Sequence, residues 1–587
     1  MLARDSRRFS LVLGSAILLA LLCVRLLGPA GRETLLGLQV GDWPGGGSPT
    51  SPPHTSSSSA LEVAAQAAAL AQSQQSILTD SSKDDDDDDE APLPTRPSRF
   101  FGASGEILGF QPPSEVRPGG SGVLHTEIFS VSTKDKRYFP IRMGSAKVLN
   151  PNIIPHPRLE AAWIVVAQKM GGDRDGNGNG NAQPVLAVEP SLELVCTAMF
   201  IDDALTCIGA DGRGFGEPTT LPLQPTSGDG TKCTGELGFF NLNVGPHDAR
   251  VFYGPRDPYT IYGSNSNFTC FGQWISDFRG LVPEAWGARS DSGRSTVDDE
   301  DDDENNKNNG GSSSSTWSGD DSSSSPSFSS THHELASPGG TELQRPPPYG
   351  AVEKNWFLFW DSDNVHYVHY DMTPRRAFAR LNGDGSVGGG GGGGGGQLED
   401  LGQHTAGRDA ACLARYLPDP TKTADQHGPG FHESLHQATN SLSVTLCRRA
   451  DAGNCVPDDS NTFIMAVVHH KVYRDFHSVY EPYVVVFRQR APFEMFAVSA
   501  RPLWVSGRQL TTTVRGGGGE EEADASTEMF YVTSVAWKSK GLKYHGYVDD
   551  VLFLAFGIED ERAGGIDVQA GSLLGNLGLC DDGEGFL

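Results

Sequence analysis

Short strand-like segments alternate along this chain with long tracts that contain almost no apolar residues. Tracts of Gly, Asn, Ser or acidic residues occupy 171–181, 291–348, 385–396 and 516–525. Such tracts cannot bury enough apolar surface to fold by themselves. Because strand-like sequence flanks each tract, we interpret the tracts as disordered loop insertions into one domain at 99–587, not as linkers between domains. Loop-closure entropy grows slowly with length, so one fold tolerates such insertions.

The segments between the tracts are apolar or alternate with period two, and they are rich in β-branched and aromatic residues. The best strand candidates are 161–168, 185–188, 192–201, 250–253, 357–360, 365–370, 441–447, 463–468, 483–488, 496–505, 529–537 and 548–556. No segment shows a sustained helical stripe. Many short strands separated by turns predict an all-β architecture, either a propeller or a stacked sandwich. The number of strands favours the propeller.

The N-terminus carries a membrane signal. Three arginines among residues 1–8 precede an apolar run at 9–27, in which Arg25 is the one charged residue. A helix of that length spans a thin bilayer when the arginine snorkels, and the preceding arginines place the tail in the cytosol. We expect a type II signal-anchor protein of the secretory pathway, most simply of the Golgi, with a disordered stalk at 28–98 and a lumenal C-terminal domain. The small residues Gly28–Gly31 leave cleavage as a signal peptide open.

The cysteines and one glycosylation sequon fit a lumenal domain. Eight of nine cysteines follow the predicted anchor, at positions 196, 207, 233, 270, 412, 447, 455 and 580. An even number predicts disulfide bonds, whereas zinc is disfavoured because no Cys-x-x-Cys pair occurs. The pairing stays open, although Cys196 with Cys207 and Cys447 with Cys455 would close short loops. Asn267 begins the sequon Asn-Phe-Thr and is a predicted glycosylation site.

Acidic tracts dominate the electrostatics of the chain. The formal net charge is −28 at pH 7, and seven acidic residues each in Asp84–Glu90 and Asp298–Glu304 account for half of it. Such runs repel themselves and stay solvated. Nucleic acid is therefore excluded as an expected partner of so acidic a chain.

The first candidate site follows a Gly-Pro turn. His247, Asp248 and Arg250 lie at the start of a predicted strand, and the last two share a face at the i, i+2 spacing. An Arg–carboxylate pair there could hold the vicinal hydroxyls of a sugar or form a structural corner.

The second candidate site, Glu353–Trp356, opens a strand that ends at Asp361–Asn364. The Asp-x-Asp pattern could hold a divalent ion against a diphosphate, as in one large class of glycosyltransferases. Asp-Ser-Asp-Asn is also good turn chemistry, and an alternating strand follows at once, so a hairpin turn is favoured. The candidate substrate-binding residues are then those before the strand.

Two further groups complete the candidates. Asp549 and Asp550 place one carboxylate on each face at the start of a strand, as acid–base chemistry on sugars requires. Glu559 and Asp560 close the same strand, as functional or as turn residues. The aromatic side chain of Tyr262, among Asn and Ser donors, suits sugar stacking as well as core packing. The chain contains no G-x-S-x-G elbow, H-E-x-x-H motif, Walker loop or Rossmann fingerprint.

At Gly245–Arg250, Glu353–Trp356 and Gly546–Asp560 the chain resembles five-bladed β-propeller carbohydrate-active enzymes. In that group a G-P-E-D-P-R-like strand start and an E-K-N-W element contribute to a central sugar site. With the anchor, the chain is most similar to fungal β-mannosyltransferase-like membrane proteins. The resemblance implies that Asp248 and Arg250 bind sugar and that Asp549 or Asp550 is the acidic partner. It also implies that Lys354, Asn355 and Trp356 line the pocket, while His247 and Ala249 depart from the pattern.

We therefore expect a five-bladed β-propeller-like lumenal domain that acts as a glycosyltransferase on glycans, for example by mannosyl transfer. The predicted catalytic residues are Asp248, Asp549 and Asp550. The predicted substrate-binding residues are His247, Arg250, Tyr262, Glu353, Lys354, Asn355 and Trp356. A sugar nucleotide is the expected type of donor; a divalent metal is not favoured, and no residue is assigned as a metal ligand. A glycoside hydrolase or phosphorylase on the same scaffold and a non-catalytic lectin-like or structural membrane protein are the alternatives.

Overall fold

Strands dominate the regular structure of the chain, and the prediction of a mainly β protein is confirmed. The structure is a computed structural model that describes residues 114–118, 123–170, 191–209, 212, 214–224, 226, 231–242, 245–287, 339–388, 401–418, 432–453, 455–474, 477–513 and 524–580. No helix within these ranges is long and apolar enough to cross a membrane. The predicted tail at 1–8, anchor at 9–27 and stalk at 28–98 lie outside them.

Three strands precede the first antiparallel meander, and the third of them, β3, pairs with it. The first eight strands are β1 (Ser114–Val116), β2 (His125–Ile128), β3 (Phe139–Arg142), β4 (Val148–Pro155), β5 (Trp163–Lys169), β6 (Glu193–Ile201), β7 (Ala204–Cys207) and β8 (Thr219–Thr220). Strands β4 to β7 pair in chain order and form the first meander, with β8 beside β6.

The second and third meanders follow in sequence. A 3₁₀ helix at Gly235–Leu242 leads to β9 (His247–Tyr253), β10 (Pro258–Asn265), β11 (Phe271–Asp277), α1 (Phe278–Leu281), a 3₁₀ helix at Pro283–Trp286 and β12 (Thr341–Leu343). The next elements are β13 (Phe357–Trp360), β14 (His366–Asp371), β15 (Ala377–Arg380), a 3₁₀ helix at Leu401–Gln403 and α2 (Ala406–Tyr416). Strands β9 to β12 form the second meander and β13 to β15 the third.

The last two meanders contain the longest strands. The fourth comprises β16 (His432–Gln437), β17 (Leu442–Thr445), a 3₁₀ helix at Arg449–Asp451, β18 (Thr462–Arg474), β19 (His477–Arg488) and β20 (Met495–Ser499). Then come β21 (Leu503–Val505), β22 (Leu510–Thr513), β23 (Asp524–Thr527), β24 (Phe530–Trp537), β25 (His545–Tyr547), β26 (Val551–Ile558), β27 (Arg562–Gln569), α3 (Ala570–Leu573) and β28 (Leu577–Leu579). Strands β24, β26 and β27 form the fifth meander, while β25 and β28 pair with the fourth.

The five meanders within the described ranges close into a ring. Five hydrophobic clusters each lie between two successive meanders, and one of them joins the fifth to the first. Strand β3 also bridges that junction, because it pairs with β27 on one side and with β7 on the other. Burial between sheets therefore continues around the whole circle, which is the arrangement that a five-bladed propeller requires.

The first strands of the meanders face one another. Strands β4, β9 and β24 contact each other directly. Asn152 donates to the carbonyl of Ala249 at 2.7 Å, and Asn440 donates to the carbonyl of Val535 at 2.9 Å. Side-chain amides thus satisfy backbone groups where neighbouring first strands are not paired in a sheet. These bonds fix the inner strands and hence the residues at their ends.

The prediction of disulfide bonds is confirmed. All eight cysteines beyond residue 27 lie in the described ranges and form Cys196–Cys207, Cys233–Cys270, Cys412–Cys580 and Cys447–Cys455. The two short loops that the sequence suggested are among them. Cys412–Cys580 ties α2 to the chain after β28, a link that spacing alone could not reveal.

The structure also corrects the predicted boundaries of the insertions. The insertion at 291–348 is too long at its end, because β12 pairs with β11 inside it. The insertion at 516–525 likewise overlaps the first residues of β23. Residues 171–181 lie outside the described ranges. Short edge strands such as β12 carry little apolar sequence, so their pairing depends on a neighbour that a local pattern does not show.

Candidate functional site

Polar residues with left-handed backbone lie at one end of the inner strands, among them Asn150, Asp248, Asn355 and Asp560 with its neighbour Glu559. Asn150, Asp248, Asn355 and Asp560 have φ values of 52°, 53°, 62° and 50°. Positive φ is uncommon outside glycine, is enriched in Asn and Asp, and often accompanies functional sites. These residues come from the first, second, third and fifth meanders. We call them, together with Arg250, Tyr480 and Tyr531, the central site.

Asp248 is the best-oriented carboxylate of the central site. It is the second residue of β9, follows a Gly-Pro turn and is partly exposed. One carboxylate oxygen accepts a hydrogen bond of 2.6 Å from the side-chain amide of Asn150. This bond crosses from the first meander to the second and holds the carboxylate in one direction.

Arg250 lies beneath Asp248 and is buried. Its guanidinium donates to the backbone carbonyls of Ala438 and Thr533, which belong to two other meanders. A third bond, of 3.5 Å, reaches the side-chain oxygen of Asn355. These bonds fit the structural corner that the sequence left open as one role of Arg250. Arg250 also reaches the site through Asn355 and through Tyr531.

An aromatic group forms one wall of the site. The rings of Tyr480 and Tyr531 lie 4.9 Å apart and edge to face, and the ring of His469 lies 4.7 Å from Tyr531. The Tyr531 hydroxyl donates to Asn355 at 3.4 Å. Burial keeps His469 neutral, with a pKa well below its ordinary value, and its Nε2 accepts from the amide of Val532. Rigid rings of this kind suit stacking against a sugar ring.

Asp248 and Asp560 both act electrostatically on the tyrosine pair. Burial raises the pKa of Tyr480 and of Tyr531, and the negative charges of both aspartates raise each further. Two carboxylates from different meanders thus lie near the same two phenols. Both carboxylates therefore belong to the surroundings of the tyrosine pair at this end of the inner strands.

Cationic side chains gather beside Asp560. Burial and the charge of Lys354 lower the pKa of Lys471, while Asp560 opposes that decrease. Burial lowers the pKa of His436 to about 4, and both lysines contribute. The Lys471 ammonium also lies 5.4 Å from the centre of the Tyr480 ring. The charge of Lys354 acts on Lys471, and two neighbouring cations of this kind favour an anionic ligand between them.

The structure does not bring Asp549 and Asp550 to the central site. The backbone amide and the guanidinium of Arg449 donate to Asp549 and Asp550 respectively, each at 2.7 Å. Asp550 also accepts from the amide of Tyr547. Both aspartates thus stabilise the turn between β25 and β26, which accounts for their position without a catalytic role.

Four other candidates lie in packing positions. Glu353 is buried and accepts from the amide of Gly350 and from Arg345. Trp356 and Tyr262 are buried within two different hydrophobic clusters. His247 lies beside Phe271, with ring centres 5.8 Å apart. Of the predicted residues, the structure brings Asp248, Arg250, Asn355 and Lys354 to the central site or its margin.

Sequence reasoning missed several residues of the site. Asp560 was weighed equally as a functional and as a turn residue and was not among the predicted site residues, and Tyr480, Tyr531, Lys471 and His436 look like ordinary strand positions. A charged residue that interrupts a half-buried strand, such as Lys471, was the sequence signal that could have indicated these site residues. A sequence pattern does not show which strand ends meet at the centre.

The Asp-x-Asp segment forms the turn that its composition favoured. Asp361 accepts from the amides of Asp363 and Val365 at 2.9 and 2.8 Å, between the paired strands β13 and β14. Among the described residues no group of three or more His, Cys, Asp or Glu side chains could hold a metal ion.

Two neighbouring cavities, of ≈ 410 and ≈ 350 Å³, lie at the end of the inner strands that is opposite the central site. Lys543 and Leu542 line both, and Tyr544 lines the larger. Most polar groups of the larger cavity already bind neighbours, such as the Tyr544 hydroxyl with the amide of Trp360. These cavities contain no central-site residue, and the chemistry described above does not reach them.

Neither a protein-family model nor a curated protein matches this sequence. Among solved structures the chain is similar to MPT-1, a GDP-Man-dependent mannosyltransferase from Leishmania mexicana, with 8% identity over 74% of this chain and 89% of that one and a TM-score of 0.29. It is also similar to an endo-arabinase from Bacteroides thetaiotaomicron (9% identity, 73% and 96% covered, TM-score 0.27) and to the catalytic domain of a Coprinopsis cinerea GH62 alpha-L-arabinofuranosidase (8%, 74% and 96%, 0.29). These TM-scores lie below 0.5, so none of these similarities assigns a function to this chain.

Proposed function

We propose that the five meanders are the blades of a five-bladed β-propeller and that the central site is the active centre of a carbohydrate-active enzyme. One observation carries the proposal: Asp248 and Asp560, each on a left-handed turn, lie near the same pair of tyrosines. Two carboxylates beside aromatic faces can serve as general acid, general base or nucleophile in a reaction at a glycosidic carbon.

The residues divide into reacting and supporting groups. Asp248, oriented by Asn150, and Asp560 are the proposed reacting carboxylates. Tyr480 and Tyr531 offer ring faces to the sugar, and the Tyr531 hydroxyl is held by Asn355. Arg250 ties the blades together below the site. Preorganised acids on such a frame lose little entropy when a substrate binds.

Lys354 and Lys471 favour transfer from a phosphate-bearing donor. Their charges lie near one another on the Asp560 side and would bind the phosphate of a sugar nucleotide or glycosyl phosphate. A neutral glycan gives no reason for two such cations. We therefore propose a glycosyltransferase acting on glycans, with mannosyl transfer as one form.

A hydrolase or phosphorylase is the second candidate, and the carboxylate pair supports it directly. Such an enzyme needs the same two acids on opposite sides of the scissile bond. It would cleave glycans with water or inorganic phosphate in place of an acceptor hydroxyl. A transferase, a hydrolase and a phosphorylase differ in the molecule that accepts the sugar: a glycan hydroxyl, water or inorganic phosphate. One experiment with all three acceptors can therefore compare them.

We further propose that the enzyme works in the lumen of the secretory pathway, in the Golgi, attached by the apolar run at 9–27. The four disulfide bonds support an oxidising compartment. Asn267 is exposed, which supports the proposal that it is glycosylated there.

The test uses the full chain, produced in a secretory host and extracted in detergent. It is incubated with sugar nucleotides or glycosyl phosphates and with glycan acceptors, water or phosphate. We expect transfer in the wild type and a loss of at least ~100-fold in Asp248→Asn and in Asp560→Asn. Asp550→Asn is the matched control, since its carboxylate binds Arg449 outside the site, and it should keep full activity.

Release of sugar without an acceptor would favour the hydrolase, and dependence on phosphate would favour the phosphorylase. No turnover in any assay, with all variants folded and still binding glycans equally, would overturn the enzyme proposal.

A further inference from the structure

Glu193 is a buried acid that the proposed chemistry does not use. It is the first residue of β6 in the first meander and is 1% exposed. One carboxyl oxygen, Oε1, accepts a hydrogen bond of 3.2 Å from the backbone amide of Ala249 in the second meander. The other oxygen, Oε2, is buried and has no hydrogen-bond partner within the described part of the chain.

Ala249, whose amide donates to Glu193, is the residue after Asp248. Asp248 has φ of 53°, so the chain turns at this point before β9 continues into the core. A buried amide without a partner costs free energy, so the Glu193 carboxyl stabilises this turned backbone. On the other side of the turn, Asn150 holds the carboxylate of Asp248. The backbone and the side chain of Asp248 are thus fixed by two different residues of the first meander.

Burial favours the neutral form of Glu193, while the two charges that face it oppose each other. The charged groups that face it are Asp248, which disfavours a second negative charge, and Arg250, which favours one. Arg250 is already engaged by the carbonyls of Ala438 and Thr533. Burial is the main cause that raises the pKa of Glu193 to about 8; the charge of Asp248 also raises it, whereas backbone hydrogen bonding and the charge of Arg250 lower it.

We propose that Glu193 is a positioning residue of the central site, which holds the Ala249 amide as an uncharged acid and thereby directs Asp248. This inference rests on the proposed function for its effect on catalysis. The geometry itself predicts two effects that do not depend on any activity. One concerns the exchange of the backbone amides at the start of β9, and the other concerns stability against pH.

Two variants of the full chain separate the roles of Glu193. Glu193→Gln keeps the accepting oxygen and is neutral at every pH, whereas Glu193→Ala removes the acceptor. Hydrogen exchange followed by mass spectrometry on peptides that contain His247–Tyr253 should be about the same in wild type and Glu193→Gln. In Glu193→Ala the exchange should be at least ~10-fold faster, since the Ala249 amide loses its partner.

Stability against pH gives the second readout. A carboxyl whose pKa is higher in the folded state destabilises the fold progressively as pH rises from its ordinary value of 4.5 to about 8. The melting temperature of Glu193→Gln minus that of wild type should therefore increase over this range and level off above it. Unchanged exchange in Glu193→Ala, or a flat difference in melting temperature, would overturn the proposal whether or not the protein is an enzyme.

Activity then tests the positioning role. Wild type should lose kcat above about pH 8 as a second negative charge forms beside Asp248, and Glu193→Gln should lack this alkaline loss while keeping wild-type kcat near pH 6.5 within ~3-fold. Glu342→Gln, at a buried acid remote from the site, should keep the alkaline loss. Identical pH profiles for wild type and Glu193→Gln would overturn the positioning role. Failure of the proposed function itself would instead show as equal activity in wild type and Asp248→Asn.

Discussion

Arg376 and Asp409 form an ion pair whose two side chains are almost completely buried. The Arg376 guanidinium donates to Asp409 at 2.7 Å and to the carbonyl of Phe493 at 3.0 Å. Asp409 also accepts from Thr405 and from the amide of Met495. Removing one partner leaves the other as an unpaired charge in the core.

We predict that Arg376→Met lowers the free energy of unfolding by about 3–5 kcal/mol, measured by urea denaturation. Arg449→Ala is the matched control. It breaks the exposed ion pair with Asp550 and should cost about 1 kcal/mol or less. Equal effects of the two changes would contradict the view that burial of the Arg376 pair makes it important.

At the residue scale, sequence reasoning reached part of the site. Asp248 and Asn355 were found because polar residues at the start of apolar strands break the local pattern. Asp549 and Asp550 were preferred over Asp560, although all three lie at turns beside β26. Left-handed backbone separates them, since only Asp560 of the three has positive φ. Backbone conformation depends on how the turn packs, so adjacent acids in a sequence do not reveal it.

Among the elements that the strand pattern did not predict, α2 is the longest α-helix within the described ranges. It packs on β20 and is joined by Cys412–Cys580 to the chain after β28. Its core-facing positions Asp409, Cys412, Leu413 and Tyr416 do recur at helical spacing, but the stripe is only about two turns long and includes a charged residue. So short a stripe is easily overlooked among many strand-like segments.

The disulfide bonds provide a prediction at this scale. Cys412–Cys580 links residues 168 apart, and Cys447–Cys455 links residues 8 apart. Restricting the unfolded chain stabilises the fold more for longer loops, by about 5 against about 2.5 kcal/mol in the chain-entropy description. Replacing both cysteines of the first pair with serine should thus lower the urea midpoint about twice as far as replacing those of the second. A larger loss from the short loop would show that the strain or packing of each bond decides its effect.

For the whole molecule, closure of the ring depends on residues far apart in the chain. Strand β3 pairs with β27 through Phe139 and Gly565, which are separated by most of the domain. The Phe139 and Phe553 rings also pack edge to face at 5.9 Å. The sequence predicted a mainly β domain of many short strands, but a local pattern contains no information on which distant strand completes the first sheet. The central site is visible only after this closure.

Buried histidines should set the acid limit of the whole fold. Burial lowers the pKa of His156 and His436 to about 4 and holds those of His369 and His469 well below 6.5. A group whose pKa is lower in the folded state binds more protons when unfolded, so its contribution to stability is lost as pH falls below 6.5. The raised pKa of Glu193 acts in the opposite direction, because its cost grows as pH rises toward 8.

The two effects together predict a maximum of stability near pH 6.5–7. We expect the melting temperature of the full chain to fall by roughly 5–10 °C between pH 7 and pH 5. His436→Gln should reduce this fall, since glutamine does not titrate and can accept from Ser434 as the imidazole does. His404→Gln, on a residue outside the central site, is the control and should leave it unchanged. A melting temperature that stays constant from pH 7 to pH 5 would contradict this prediction. It would mean that these imidazoles are hydrated in the folded protein, and that water reaches His469 behind the rings of Tyr480 and Tyr531.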